Sequence, residues 1–173
     1  MANPVAYAAT RIQAVVLAFP PTQSTATPTF RFTVVVGAIL GLLPLLFIAP
    51  GLIEFYYVTL QKLDPTELAL VRVTAISLIA FPFAVAIRAY SEGLAAWEKK
   101  PIAVLAGHGF YMVIVITSGF LALVLGVPGY LIGGISLTLA SLVSAFIIRV
   151  FLIWTHEKHL PVGQTTTAVG QVR

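Results

Sequence analysis

The stretch PIAVLAGHGFYMVIVITSGFLALVLGVPGYLIGGISLTLASLVSAFII, residues 101–148, contains no Asp, Glu, Lys or Arg. His108 is its one side chain of a type that titrates near neutral pH. A helix needs about 20 mainly apolar residues to cross the hydrocarbon of a bilayer. The stretch is too long for one crossing and about right for two, and Gly126-Val127-Pro128-Gly129 divides it near the middle. Glycine releases the backbone there, and Pro128 suits the first turn of a following helix. The apolar runs are continuous and lack the period-2 alternation of barrel strands. Helices satisfy their backbone polar groups internally, as lipid demands.

Working outward, residues 32–53 are uncharged until Glu54, and residues 73–87 are uncharged as well. Together these runs predict an all-α integral membrane bundle with four spanning helices, at about 31–60, 66–90, 101–126 and 128–155. Pro44 and Pro50-Gly51 should kink or weaken the first. The turn Gln61–Glu67 ends it, with Asp64 or Thr66 available to cap the second helix and Pro65 near its first turn. The second helix is expected to end around Ser91-Glu92-Gly93. Trp97, Tyr56, Tyr57, Tyr90 and Trp154 suit anchors at headgroup level. Val5, Ala8, Ile12, Val15, Val16 and Phe19 recur at helical spacing in a run too short to span. It reads as an interfacial helix or as the stump of a spanning one. A secretory signal fits poorly, because no basic leader precedes the apolar run. Residues 1–30 thus form a short helix and polar loop, 31–155 the transmembrane domain and 156–173 a polar tail.

Composition agrees. Of the 173 residues, 59% are hydrophobic and only 9% charged, against roughly 25% charged in soluble domains. A soluble enzyme, a disordered linker and a nucleic-acid binder are all disfavoured, despite a net charge of +4. The basic residues edge the apolar runs, as they do in membrane proteins. With no cysteine, disulfides and thiolate metal sites are excluded. His156 and His159 lack a third ligand nearby and read as solvated, and no nucleophile or phosphate-loop motif calls for an enzyme or a cofactor.

Four crossings sort the loops onto two sides. Arg11, Arg31, Arg88, Lys99, Lys100, Arg149, Lys158 and Arg173 fall on one side, and Lys62 and Arg72 on the other. The excess of Lys and Arg predicts that the first side, with both termini, is cytoplasmic.

Few charges are left at membrane depth, where each needs a partner or a wet path. Glu54 lies nine residues before Leu63 and Arg72 nine after it. In an antiparallel hairpin equal distances give equal depth, so the two are expected to face each other, as an ion pair pinning the hairpin or as a titrating pathway site. His108, flanked by Gly107 and Gly109, suits proton coupling or close helix packing. Arg88 and Glu92 are four apart on one helical face and read as an interfacial cluster, within reach of Lys99 or Lys100. Small residues four apart (Gly37 and Gly41, Gly129 and Gly133, Ser141 and Ala145) favour close helix approach.

The stretch Leu68–Trp154 resembles the later part of a repeat in the MOP superfamily, which comprises MATE drug exporters, polysaccharide and lipid-linked oligosaccharide flippases and ANK-type exporters. The resemblance rests on Arg88–Gly93 (RAYSEG), a short basic loop with Pro101, and the corner Gly126-Val127-Pro128-Gly129 with Gly133 in the last helix. Tyr7–Gln13 looks like the end of the repeat's second helix. The resemblance implies transport of an amphipathic or lipid-linked solute in the cell (inner) membrane. It also implies that this chain is a partial repeat, acting with other copies or with a missing transporter half. The family's acidic coupling residues have no counterpart that carries over. Two other readings stand beside it: a small membrane scaffold without transport, and a compact dimeric exporter with Glu54 as its coupling acid.

Overall fold

The structure, a computed structural model, describes residues 2–21, 25–46 and 48–157, with side chains for 5–21, 25–46 and 48–155. The predicted tail beyond residue 157 and the side chains of His156 and His159 lie outside the described residues. In chain order the elements are α1 (Ala2–Thr10), α2 (Ile12–Ala18), α3 (Ala26–Leu46), a π-helix (Glu54–Leu60), a 3-10 turn (Pro65–Glu67), α4 (Leu68–Ser77), α5 (Ala80–Trp97), α6 (Pro101–Val124) and α7 (Gly129–Glu157). Among the described residues four stretches are long and apolar enough to cross a membrane: Ala26–Leu46, Pro65–Trp97, Pro101–Val124 and Gly129–Thr155. The protein is an all-α, multi-pass membrane bundle with a short N-terminal helix.

The helices form a row. Helix α3 packs on α5, α5 on α7, and α7 on α6, while α1 and α2 lie against α5 on the α3 side. The centre of the row is therefore α5, and its composition explains why. Ala84, Ala86, Ala89, Gly93 and Ala95 are buried along it. Lipid tails are as apolar as leucine, so helices in a bilayer associate by close packing of small residues more than by hiding large ones. Gly41 illustrates the tolerance: a Cβ there would sit 2.6 Å from the Ile79 carbonyl oxygen. At Gly93 it would sit 2.8 Å from Cβ of Val16. The remaining apolar surface faces outward, and of the 24 residues of α6 only Ala103 and Gly107 are buried.

The N-terminal segment is more than an interfacial helix. Ala9, Ile12 and Val16 are buried in one cluster with Val85, Ala86, Ala89 and Tyr90. Val16 also meets Gly93 of α5.

Several boundaries differ from the sequence expectation, each for a local reason. The first spanning helix runs over Ala26–Leu46 in place of 31–60. It starts earlier because Pro28 is accommodated in the first turn, where the Thr29 hydroxyl donates to the Thr25 carbonyl at 2.8 Å. It stops soon after Pro44, and Gly51 then takes a left-handed φ of 80°, so Glu54–Leu60 forms a separate π-helix with no buried residue. The second span continues past Gly93 to Trp97, because Gly93 serves close packing and not a turn. That span is itself interrupted at Leu78–Ile79. Pro82 has no N–H to offer the Leu78 carbonyl and its ring crowds that oxygen, which accepts instead from the Phe81 N–H at 3.2 Å. Tyr90 is no headgroup anchor. It is buried to 3% exposure, edge-on to Phe30 at 5.5 Å, with the Arg149 guanidinium 5.2 Å from its ring centroid.

The same hydrogen-bond pattern ends both α5 and α6. At the end of α6, Val127 N–H donates to the Ala122 carbonyl at 2.9 Å and Gly126 N–H to Leu123 at 3.1 Å. At the end of α5, Lys100 donates to Ala95 at 2.9 Å and Lys99 to Ala96 at 3.1 Å. This closure needs a left-handed residue. Gly126 (φ 70°) fills that role in one turn and Lys99 (φ 55°) in the other.

Of the small-residue pairs, Gly37 and Gly41 do receive close neighbours, and Ser141 and Ala145 are buried, whereas Gly129 and Gly133 face open space. Gly41→Ala should therefore destabilise the bundle by about 1–3 kcal/mol, the usual cost of overpacking, because a backbone carbonyl cannot swing aside. Gly133→Ala should stay within about 0.5 kcal/mol of the parent. Thermal unfolding of the two variants in detergent, followed by circular dichroism, measures the difference.

Candidate functional site

Helices α5 and α6 are joined by the turn at Lys99, and the residues on either side of it come to matching depth. Glu92 lies five residues before Trp97, about 7 Å along the axis, and His108 seven after Pro101, about 10 Å. Arg88 and Glu92 are one turn apart on α5, and His108 and Tyr111 one turn apart on α6, so each helix presents a pair on one face.

Glu92 is the centre of the group. Its Oε1 lies 3.2 Å from Nε of Arg88, with the two side chains only 11% and 18% exposed. The same oxygen lies 3.6 Å from Nδ1 of His108, whose side chain is 54% exposed. The Arg88 guanidinium also stands over the Tyr111 ring, 4.6 Å from its centroid, an arrangement favoured by the ring quadrupole. Arg88 thus bridges a carboxylate on its own helix and an aromatic face on the next. The contacts are ionic and loosely directed, for neither Arg88 Nε nor Glu92 Oε1 makes a hydrogen bond among the described residues. A buried charged oxygen with unused accepting capacity is costly, and such groups call for an explanation.

His108 also lines the inner end of a cleft of about 950 Å³ between the N-terminal segment and the start of α6. Its walls are mainly apolar, from Ala96, Pro101, Ile102, Val104 and Leu105, and Gln13, Lys99 and Lys100 add polar atoms. Lys100 is engaged, with Nζ 2.7 Å from Oε2 of Glu98 and 3.4 Å from the Leu152 carbonyl oxygen. Neither lysine meets Glu92 in an ion pair among the described residues.

The sequence placed His108 and the Arg88–Glu92 pair in separate groups; the structure brings them into one. It does not bring Glu54 and Arg72 together. Both are exposed, and among the described residues no ion pair joins them. Equal depth presumed two straight helices meeting at Leu63, but α3 ends at Leu46 and Glu54 rides on the separate π-helix. There it lines a small cleft of about 460 Å³ with Gly51, Phe55, Val58, Thr59, Pro65 and Leu68. The arrangement of Glu92 with His108 had a signal in the sequence: the equal-distance argument, applied across the Lys99 turn, pairs residues 88 and 92 with 108 and 111.

Among the described residues no group of three or more His, Cys, Asp or Glu could hold a metal ion. No protein-family model, curated protein or solved structure matches the chain.

Removing Arg88 leaves Glu92 as a buried charge without its nearest cation, so Arg88→Gln should destabilise the protein by roughly 3 kcal/mol, as breaking a buried pair does. His108→Gln should cost well under that, because its side chain is half in the open. Chemical unfolding of both variants in the same detergent tests the order.

The Glu54-side turn yields a second expectation. Asp64 accepts from the Thr66 hydroxyl at 2.7 Å and the Thr66 N–H at 2.9 Å, and these bonds, the hydroxyl first, hold its carboxyl below the ordinary carboxylate range. The depressed value means that the cap is fully formed above the unfolded pKa of about 3.9 and is lost as pH falls through the folded value. Amide-exchange protection at Thr66–Leu68 should fall in that acidic window. In Asp64→Ala it should already be low at neutral pH.

Proposed function

We propose that the chain serves membrane transport, as part of a MOP-type exporter or flippase that moves an amphipathic or lipid-linked solute. The observation that carries this reading is the Glu92–Arg88–His108 cluster. Three ionisable groups meet across two spanning helices, about two turns from the helix ends, beside an apolar cleft. Ionisable groups at such depth are rare and mark substrate or ion pathways. A carboxylate with unused hydrogen-bonding capacity next to a histidine has the chemistry to take up and release a proton or a cation during a transport cycle. The likeness of Arg88–Gly93 to the family's pattern falls on the same cluster.

The proposed setting is the cell (inner) membrane with both termini in the cytoplasm, supported by the eight-to-two split of Lys and Arg between the two sides. Alternating access in such transporters comes from one repeat rocking against another. On this reading the outward apolar faces of α3 and α6 meet lipid or another copy or half of the transporter, and no nucleic acid or cofactor takes part.

The test uses inside-out vesicles from bacterial cells that produce the chain, with ethidium and a fluorescent phospholipid as probes and an imposed pH gradient. The expected result is probe movement above that of empty-vector vesicles. Glu92→Gln should slow that movement about tenfold, equivalent to 1.4 kcal/mol of barrier. Movement no faster than in empty-vector vesicles overturns the proposal, and Glu54→Gln, as the affected variant in place of Glu92→Gln, would favour the compact exporter.

A further inference from the structure

The cleft near Trp97, beside which the charged cluster lies, has a second set of features at its other lining residues. Its walls are apolar, and Ile102 and Leu105, on its α6 wall, are 71% and 73% exposed. In a bilayer those side chains face acyl chains. Its two lysines, Lys99 and Lys100, lie at one end, where α5 gives way to α6. Lys99 stands there exposed, and its ammonium has no partner among the described residues. It also occupies a left-handed backbone position, φ 55°. Lys100 adds a second cation, partly offset by Glu98. Helix α6 begins at this rim with no side-chain cap on its first N–H groups, so its positive end adds to the same field. The aromatic Trp97 beside the rim marks headgroup level.

We infer that this cleft holds one anionic phospholipid of the surrounding leaflet, its phosphate at Lys99 and the start of α6 and an acyl chain along Ile102 and Leu105. The shape matches a lipid better than a soluble anion, because the apolar wall continues straight from the basic rim into the hydrocarbon. Charge complementarity selects the anionic headgroup. A zwitterionic lipid would bring its own cation against Lys99. The inference is independent of transport, since a bound lipid would serve a scaffold equally well by fixing the α5–α6 turn against the N-terminal segment.

Quenching of Trp97 by brominated lipid tests it. The full chain with Trp154→Phe, which leaves Trp97 as the single tryptophan, is reconstituted in phosphatidylcholine vesicles. These contain equal mole fractions of brominated phosphatidylglycerol or brominated phosphatidylcholine. The expected result is stronger quenching by the glycerol lipid, with a relative association about fivefold higher. That factor corresponds to the roughly 1 kcal/mol contributed by one basic residue at an anionic surface. Lys99→Gln should remove the preference, Lys99→Arg should keep it, and Lys62→Gln, in the α3–α4 connection, should leave it unchanged. Lys99→Gly is the second variant. Its backbone suits the left-handed turn, so loss of the preference there cannot come from misfolding of the turn. Equal quenching by the two lipids in the parent overturns the inference, as does a preference that survives both Lys99→Gln and Lys99→Gly. Relief of the quenching by inorganic phosphate at constant ionic strength overturns it too, by assigning the rim to a soluble anion.

Discussion

Close backbone approach along α5 is the constraint on which the rest of the bundle depends. Inside a bilayer a leucine gains little by moving from lipid to protein, so the helices cannot be sorted by hydrophobicity alone. They are sorted by where small residues let two backbones meet. Ala86 and the Ile79 carbonyl receive Gly37 and Gly41 of α3, and Gly93 receives Val16 of α2. Gly107 repeats the device on α6, where a Cβ would lie 2.5 Å from Ile148 of α7. Large apolar side chains are spent outward, as the exposed Ile116, Phe120 and Leu123 of α6 show. A soluble bundle would place its residues the other way round.

The charged cluster follows from this packing. Because α5 is held on three sides, its remaining face near the Lys99 turn is where α6 can bring side chains to it. The tight turn keeps the two helices in register, so Arg88 and Glu92 meet His108 and Tyr111 without a long connection. A like-minded arrangement fails at the opposite end, where α3, a turn at residues 48–51 and a π-helix stand in for a straight hairpin arm.

Much of the fold was legible in the composition and spacing of the chain. The charge-free runs marked four crossings, and Gly126–Pro128 and Asp64–Thr66 marked two turns correctly, because each signal is local and chemical. The misreadings have a common source. Ser91-Glu92-Gly93 reads as a helix end only if Gly93 is there for flexibility, and its partner Val16 is remote in sequence. Tyr90 reads as an anchor only if nothing covers it, and Phe30 and Arg149 do. The gap between α4 and α5 required attention to a carbonyl four residues before Pro82. As for the candidate site, Arg88, Glu92 and His108 were each singled out, but Tyr111 was not, nor was their meeting across the Lys99 turn, and Glu54 with Arg72 was placed by a symmetry that the chain does not keep.

The interruption at Leu78–Ile79 has a mechanical meaning. It divides the span Pro65–Trp97 into two rods with different neighbours: α4 touches α7 and α3 lightly, while α5 carries the weight of the bundle. With the helical ladder cut opposite Pro82, bending at that joint opens few backbone hydrogen bonds. The end bearing Asp64 and Lys62 is thereby joined to the rest of the span by a weakened stretch of backbone. The end bearing Glu92 lies beyond that joint, within the densely packed half of the span.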